Sequence, residues 1–343
     1  MQKTPWLQRK LEAIWYHNDS SVILYLLLPL SALFCFLSKR KKKTEENRQA
    51  QLNIPIIIVG NINIGGTGKT PLVIRLTELL KEKGYKPAII TRGYKGTSSE
   101  WPLVVKPITH AQLAGDEAKL MSIRTDVPVI AGADRVADVE YVLANTDCNI
   151  IISDDGLQHY RLQRDIEIAV IDAQRRFGNG HCLPAGPLRE LPKRLQECDF
   201  LITNGHPALA NESEMQVTGT QLINITTNEQ KPLADFEVVH VVTGIGNPQR
   251  FINTLEAAEL HISSQRLFPD HHHFVASDFH LDSSTSLNTD EPILMTEKDA
   301  VKCTELGLKN CWYLPVDATL DPTFERDFLN KVAEVCQHVK EIN

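Results

Sequence analysis

The sequence predicts an α/β protein with three parts. These are an N-terminal membrane-associated helical segment over residues 1–46, a P-loop kinase-like parallel-sheet domain over residues 47–205, and a second, smaller α/β domain over residues 206–343. Three observations support this prediction. An apolar strand runs into a glycine-rich turn and a helix, short apolar strands alternate with helical patterns, and a long apolar stretch ends in a run of cations. A chain of 343 residues is long enough for about two domains of ~100–200 residues each.

The N-terminal segment combines apolar and basic character. Residues 22–37 are almost wholly apolar, and five consecutive cations follow at residues 39–43. Sixteen helical residues span ~24 Å, less than the ~30 Å of a bilayer core. We expect a membrane anchor near an anionic leaflet, with a buried globular helix as the alternative, and whether it crosses or lies in the interface stays open. No nucleic-acid partner is expected, because the basic run lacks interleaved aromatic residues and any base-reading motif.

The parallel-sheet domain begins with the strand that precedes the glycine-rich turn. Residues 54–59 are apolar, the turn contains Gly65, Gly66 and Gly68, and an amphipathic helix follows Lys69 and Thr70. Backbone N–H groups of such a turn cradle phosphates, the lysine reaches the β- and γ-phosphates, and the threonine hydroxyl can hold Mg²⁺. Asparagine occupies position 63, where the general pattern has glycine. The residues expected to bind the nucleotide are Asn63, Ile64, Gly65, Gly66, Thr67, Gly68, Lys69 and Thr70.

Charged residues follow other strands of the same domain. Residues 148–153 read as a strand that ends in Asp154 and Asp155, the place where P-loop proteins put a second Mg²⁺ carboxylate, although an Asp-Gly turn is the alternative. Asp116 opens a helix, where an acid also complements the helix dipole. Because the carboxyl ends of parallel strands form the ligand site of such sheets, these acids are candidate functional residues.

The second domain is expected after a boundary in residues 205–233, which are polar and show little pattern. Residues 238–243 read as a strand and residues 249–260 as a helix. Three adjacent histidines, residues 271–273, point in different directions and have no Cys or His partner at ligand spacing. We therefore do not expect structural zinc, and an active-site role for one histidine is favoured.

The ordered set of motifs resembles the tetraacyldisaccharide 4'-kinase family, the lipid A kinases. The resemblance rests on residues 60–71, 92–94, 115–117, 154–160, 177–180, 186–190, 270–271 and 296–300, in that order along the chain. It implies transfer of the ATP γ-phosphate, with Mg²⁺, to the 4'-hydroxyl of an acylated glucosamine disaccharide 1-phosphate. It also implies a membrane-associated enzyme on the cytoplasmic face of the inner membrane.

The resemblance further implies roles for the candidate residues. Asp116 is expected to be the general base with His271 behind it, and Asp154 and Asp155 are expected at the metal with Thr70 and Glu190. Arg189 is expected to assist at the phosphates. The residues alone leave the base open among Asp116, Asp154 and Asp155.

Three other classes of protein compete with this interpretation. A membrane-recruited, partitioning-type P-loop ATPase shares the GGTGKT sequence, but it carries lysine where this chain has Ile64. A small GTPase needs a guanine-reading Asn-Lys-x-Asp, which residues 296–299 do not supply. A non-catalytic membrane scaffold leaves the acidic strand ends unexplained.

Overall fold

The protein is seen here as a computed structural model that describes residues 6–16, 22–206, 208–279 and 291–342. Its α-helices are α1 (Trp6–Tyr16), α2 (Val22–Glu46), α3 (Lys69–Glu82), α4 (Ala111–Ala114), α5 (Asp116–Thr125), α6 (Arg135–Asn145), α7 (Pro248–Ala257), α8 (Glu297–Ala300) and α9 (Pro322–Ile342). Its strands are β1 (Ile56–Gly60), β2 (Pro87–Thr91), β3 (Leu103–Val105), β4 (Val129–Ala131), β5 (Ile150–Asp154), β6 (Ile166–Asp172), β7 (Phe200–Asn204), β8 (Ser213–Thr218), β9 (Gln221–Asn224), β10 (Gln230–Pro232), β11 (Val238–Thr243), β12 (His261–Leu267), β13 (Ile293–Thr296), β14 (Cys311–Leu314) and β15 (Asp317–Leu320).

The larger sheet has nine strands in the order β15-β8-β7-β6-β1-β5-β2-β4-β3. Its seven inner strands are parallel, and the edge strands β15 and β3 are antiparallel to their neighbours. The central strand β1 is buried along its whole length because apolar side chains cover both faces of the sheet. The carboxyl end of β1 leads into the glycine-rich turn, so this turn lies in the middle of the sheet edge.

The smaller sheet has six strands in the order β10-β9-β14-β13-β11-β12. Strands β14, β13, β11 and β12 are parallel to one another, and β9 is antiparallel to both of its neighbours, β14 and β10. Its core contains Leu222, Val241, Leu255, Leu294 and Trp312. We call residues 221–314 the small lobe, and the nine-stranded sheet with its helices the large lobe.

The division into lobes differs from the expected ranges 47–205 and 206–343. Strands β8 and β15 belong to the larger sheet, and α9 packs on the core of the large lobe through Phe324, Phe328 and Val332. The small lobe is therefore inserted between β8 and β15. Residues 205–233, which show little pattern in the sequence, contain three strands. These strands were missed because they are polar; in β8 only Met215 is buried.

The N-terminal helices pack on the large lobe beside the loop of residues 177–190. Trp15 Nε1 donates a hydrogen bond to the Pro184 carbonyl (3.0 Å), and Ser31 Oγ donates to the Cys182 carbonyl (2.7 Å). By length and composition α2 can cross a membrane, and only 6% of its apolar window is buried by the rest of the described chain. Residues 1–5 and 17–21 of the expected segment lie outside the described residues.

Candidate active site

The glycine-rich turn connects β1 to α3 in a left-handed backbone conformation at Gly65 (φ +99°) and Gly68 (φ +95°). Asn204, the last residue of β7, donates a hydrogen bond from Nδ2 to the Thr67 carbonyl (2.9 Å). A Cβ atom on Gly68 would lie only 2.1 Å from this Nδ2 atom, so a side chain is excluded by space as well as by φ. Residues 64–70 line the cleft. Asn63 is instead buried behind the turn, where its amide donates to the Arg176 carbonyl.

Lys69, Asp155 and Arg189 form a charged cluster at the cleft. Lys69 Nζ lies 3.1 Å from Asn61 Oδ1 and 3.3 Å from Asp155 Oδ1. Arg189 Nη1 donates to both carboxylate oxygens of Asp155, at 2.9 and 3.0 Å. Burial raises the pKa of the Asp155 carboxyl, but Lys69 and Arg189 together hold it well below its usual range. Asp155 is therefore an anion paired with two cations beside the glycine-rich turn.

Asp154 lies beside Asp155 but differs from it in environment. It is fully buried, its Oδ2 accepts a hydrogen bond from Thr91 Oγ1 (3.0 Å), and its Oδ1 has no hydrogen-bond partner among the described residues. Burial, with the negative charges of Glu117 and Asp155, raises its pKa to about 7, against the effect of Lys69. Two adjacent aspartates thus have opposite pKa shifts.

Glu190 is held next to this cluster by hydrogen bonds. Gln158 Nε2 donates to one carboxylate oxygen (2.9 Å), and the Tyr160 hydroxyl donates to the other.

No group of three His, Cys, Asp or Glu side chains in the described part of the chain is arranged to hold a metal ion by itself. The three histidines diverge: His271 faces Asp116, His272 faces Asp278, and His273 faces Gln112.

Asp116 and His271 meet across the two lobes. Asp116 is the first residue of α5, and its Oδ2 lies 3.0 Å from Nδ1 of His271. His271 has φ +61°, and its backbone N–H donates to the Gly244 carbonyl (3.1 Å). Burial alone would raise the pKa of Asp116. The His271 hydrogen bond and the nearby Lys302 lower this pKa by more than burial raises it, so the net shift is downward. Asp116 is therefore an ionised carboxylate oriented by a histidine.

The cleft between the lobes has a volume of about 940 Å³. The glycine-rich turn, Asp155 and Arg189 line it from the large lobe, and residues 245–247 and His271 line it from the small lobe. A salt bridge between Lys298 and Glu117 (3.1 Å) closes one side. Helix α2 forms a further wall with Phe34, Ser38, Lys41 and Lys42. The predicted site residues therefore come together at one cleft, except that Asn63, Asp116 and Asp154 are buried behind its surface. Asp116 contacts the cleft through His271.

Several site residues were missed in the sequence. Asn204 holds the turn, and Arg250 Nη2 of α7 donates to its Oδ1 (2.5 Å). Asn204 ends β7, so the carboxyl-end rule for parallel strands could have identified it. Asp299 and Lys302 follow the strand end at Thr296, and the sequence predicted no role for either residue.

Comparisons with known proteins agree with this geometry. Residues 23–333 match the family described as tetraacyldisaccharide-1-P 4'-kinase. A tetraacyldisaccharide 4'-kinase of Pasteurella multocida is 44% identical over 325 residues, which are 94% of this chain and 98% of that protein. One from Nitrosococcus oceani is 43% identical over 328 residues, covering 94% of each chain. A crystal structure of LpxK from Aquifex aeolicus, described as an "apo" form in complex with ATP, superposes with a TM-score of 0.75 at 26% identity and covers 92% of this chain and 99% of that one.

Proposed function

Since the chain belongs to the tetraacyldisaccharide 4'-kinase family, it is an ATP-dependent kinase of lipid A biosynthesis, and we propose that its substrate is a tetraacylated glucosamine disaccharide 1-phosphate. The γ-phosphate of ATP is transferred to the 4'-hydroxyl of this sugar. The observation that carries the proposal is the Asp116–His271 pair, at 3.0 Å. His271 lines the cleft that contains the glycine-rich turn, and Asp116 lies directly behind it.

Residues 64–70 bind the ATP phosphates in this proposal. Gly65 and Gly68 have the left-handed backbone that lets such a turn present N–H groups to a phosphate, and the N-terminus of α3 adds positive potential. Lys69 contacts the β- and γ-phosphates, and Arg189 adds a second cation to the charge that develops during transfer. Both side chains line the cleft, as this role requires.

The oxygen atoms near the turn fit a Mg²⁺ ion. Thr70, the second residue of α3, and Asp155 line the cleft, and the buried Asp154 has an oxygen without a partner among the described residues. Mg²⁺ uses one or two carboxylates together with water and substrate phosphates, so three clustered carboxylates are not needed. The candidate ligands are Thr70, Asp154, Asp155 and Glu190. One or two of these carboxylates would hold the ion directly with the Thr70 hydroxyl, and water and phosphate oxygens would complete its shell. When bound there, Mg²⁺ would supply positive charge to the β- and γ-phosphates.

Asp116 is the proposed general base. Its carboxylate is ionised, as a proton acceptor must be, and its partner His271 lines the cleft. With Asp116 as an anion, His271 Nδ1 carries the proton of the shared hydrogen bond and fixes the carboxylate orientation. As the 4'-oxygen attacks the γ-phosphorus, Asp116 accepts the hydroxyl proton and ADP leaves.

The proposed location is the cytoplasmic face of the inner membrane. Apolar side chains of α2 remain exposed, including Tyr25, Leu26, Leu33 and Phe36, and cations follow them along the helix. A multiply acylated substrate stays in the bilayer, so the kinase must work at the plane of the head groups. Because α2 also lines the cleft, the helix can bring the reaction site to that plane.

Thin-layer chromatography with γ-labelled ATP tests the proposal. The purified full chain is incubated with Mg²⁺ and detergent-dispersed tetraacyldisaccharide 1-phosphate, and label is expected in the lipid. Label found only in inorganic phosphate, at a rate that does not depend on the lipid, would instead indicate an ATPase of the partitioning type.

A further inference from the structure

Lys302 is a buried cation that contacts two carboxylates. Its side chain is 5% exposed, and Nζ lies 2.8 Å from Asp299 Oδ1 and 3.7 Å from Asp116 Oδ2. The ammonium also lies above the Phe274 ring, 4.8 Å from its centroid. A buried lysine is costly unless it is paired, so this position needs a physical reason.

Asp299 alone does not account for the position of Lys302. Asp299 is fully buried, and its Oδ2 already accepts hydrogen bonds from Thr243 Oγ1 (2.7 Å), Thr296 Oγ1 (2.8 Å) and the Gly244 N–H (3.1 Å). These bonds fix the ends of β11 and β13. Its other oxygen faces the Lys302 ammonium, which extends from there to Asp116.

The contacts form a closed ring of five residues. The Asp299 carboxylate accepts a hydrogen bond from the Gly244 N–H, and the Gly244 carbonyl accepts one from the His271 N–H (3.1 Å). The His271 side chain contacts Asp116 (3.0 Å), and Asp116 contacts Lys302. Lys302 donates a hydrogen bond to Asp299, which closes the ring. Four members belong to the small lobe, and Asp116 alone belongs to the large lobe. The carboxylate of Asp116 is therefore held by the small lobe from two directions.

We infer that Lys302 is a positioning residue for phosphoryl transfer, whose ammonium keeps Asp116 ionised and directed by His271. This inference rests on the proposed role of Asp116 as the base. Other charged groups also act here. Lys298 lies near Asp116, Glu117 is its neighbour in the chain, and Asp270 lies 3.5 Å from His271 Nε2. Lys302 differs from Lys298 because it contacts Asp116 directly.

The test measures kcat against pH at saturating ATP and lipid for Lys302→Gln and Lys302→Arg. An opposite charge at this distance lowers a carboxyl pKa by about 1–3 units, so Lys302→Gln should move the acidic limb upward by about that much. Lys302→Arg should restore the limb, and the KM for ATP should change little in both variants. Lys309→Gln, on an exposed side chain, is the matched control and should match the wild type.

A merely structural lysine predicts a different result. Lys302→Gln would then lower the melting temperature and leave the acidic limb unmoved, which would overturn the inference. If Lys302→Gln does not fold, the double variant Lys302→Gln/Asp299→Asn removes both buried charges, so neither is left unpaired. The same pH profile can then be measured, because Asp116 still lacks the Lys302 ammonium. Asp116→Asn separates the two claims. Normal turnover of Asp116→Asn would contradict both the proposed base and this inference. Lost turnover in Asp116→Asn, together with an unmoved acidic limb of the kcat–pH profile in Lys302→Gln, would contradict this inference alone.

Discussion

Lys69 and Asp155 form an ion pair at the phosphate-binding turn, with 3.3 Å between Nζ and Oδ1. The ammonium has three protons, and Asn61 and Asp155 lie within reach of two of them. Asn61 and Asp155 thus fix the orientation of the Lys69 side chain, which also lines the cleft. Asp155 is held in the same way by Lys69 on one side and Arg189 on the other.

Lys69→Ala is expected to lower turnover by at least about 10²–10³-fold, because it removes a cation that stabilises charge on the transferred phosphate. Thr70→Ala should abolish transfer, because it removes a proposed Mg²⁺ ligand. Initial rates with labelled ATP measure both effects. Lys83→Ala, on an exposed lysine after the same helix, is the control. Near-normal turnover in a folded Lys69→Ala variant would show that the turn is not the nucleotide site.

Asp116→Asn is expected to lower kcat by ~10²–10⁴-fold, the usual range for loss of a general base, while ATP affinity changes little. Single-turnover kinetics and calorimetric titration with ATP give the two quantities separately. If this variant loses Mg·ATP binding while Asp155→Asn retains it, the roles of base and metal ligand are exchanged.

Gly68→Ala is expected to distort the turn, because the new Cβ would lie 2.1 Å from Asn204 Nδ2 at a residue with φ +95°. Both ATP affinity and the melting temperature should fall. Gly66→Ala serves as the control for stability, since its Cβ meets no atom within 4 Å and its φ is not positive. Equal melting temperatures for the two variants would contradict the clash.

Deletion of residues 1–44 is expected to move the protein from the membrane to the soluble fraction. Because Trp15 and Ser31 contact the loop before Arg189, the truncated enzyme should also lose turnover more than it loses ATP affinity. Fractionation after a high-salt wash and calorimetry measure these effects. A truncated protein that still sediments with membranes would place the anchor elsewhere in the chain.

The sequence predicted those parts of the molecule that depend on short stretches. Strand β1, its turn and helix α3 are local, and their hydrophobic and glycine patterns are strong. The Asp116–His271 pair was anticipated only through the family resemblance, since 155 positions separate the two residues. Strands β8 and β15 and the contacts of Lys302 were not predicted. In β8 only Met215 is buried, and β15 has only four residues, so neither strand carries a strong apolar pattern. A ring of contacts between lobes leaves no pattern in one sequence.

The wall that α2 contributes to the cleft has a consequence for kinetics. Phe34, Ser38 and Lys41 are spaced by four and three residues, so they form one stripe that runs ~10 Å along the helix. With α2 embedded in the membrane, as proposed, this stripe would offer a glycolipid substrate a route by lateral diffusion within one leaflet. The search for substrate is then two-dimensional. Turnover should saturate with the mole fraction of substrate in the membrane, and diluting vesicles of fixed composition should leave the rate per bound enzyme unchanged.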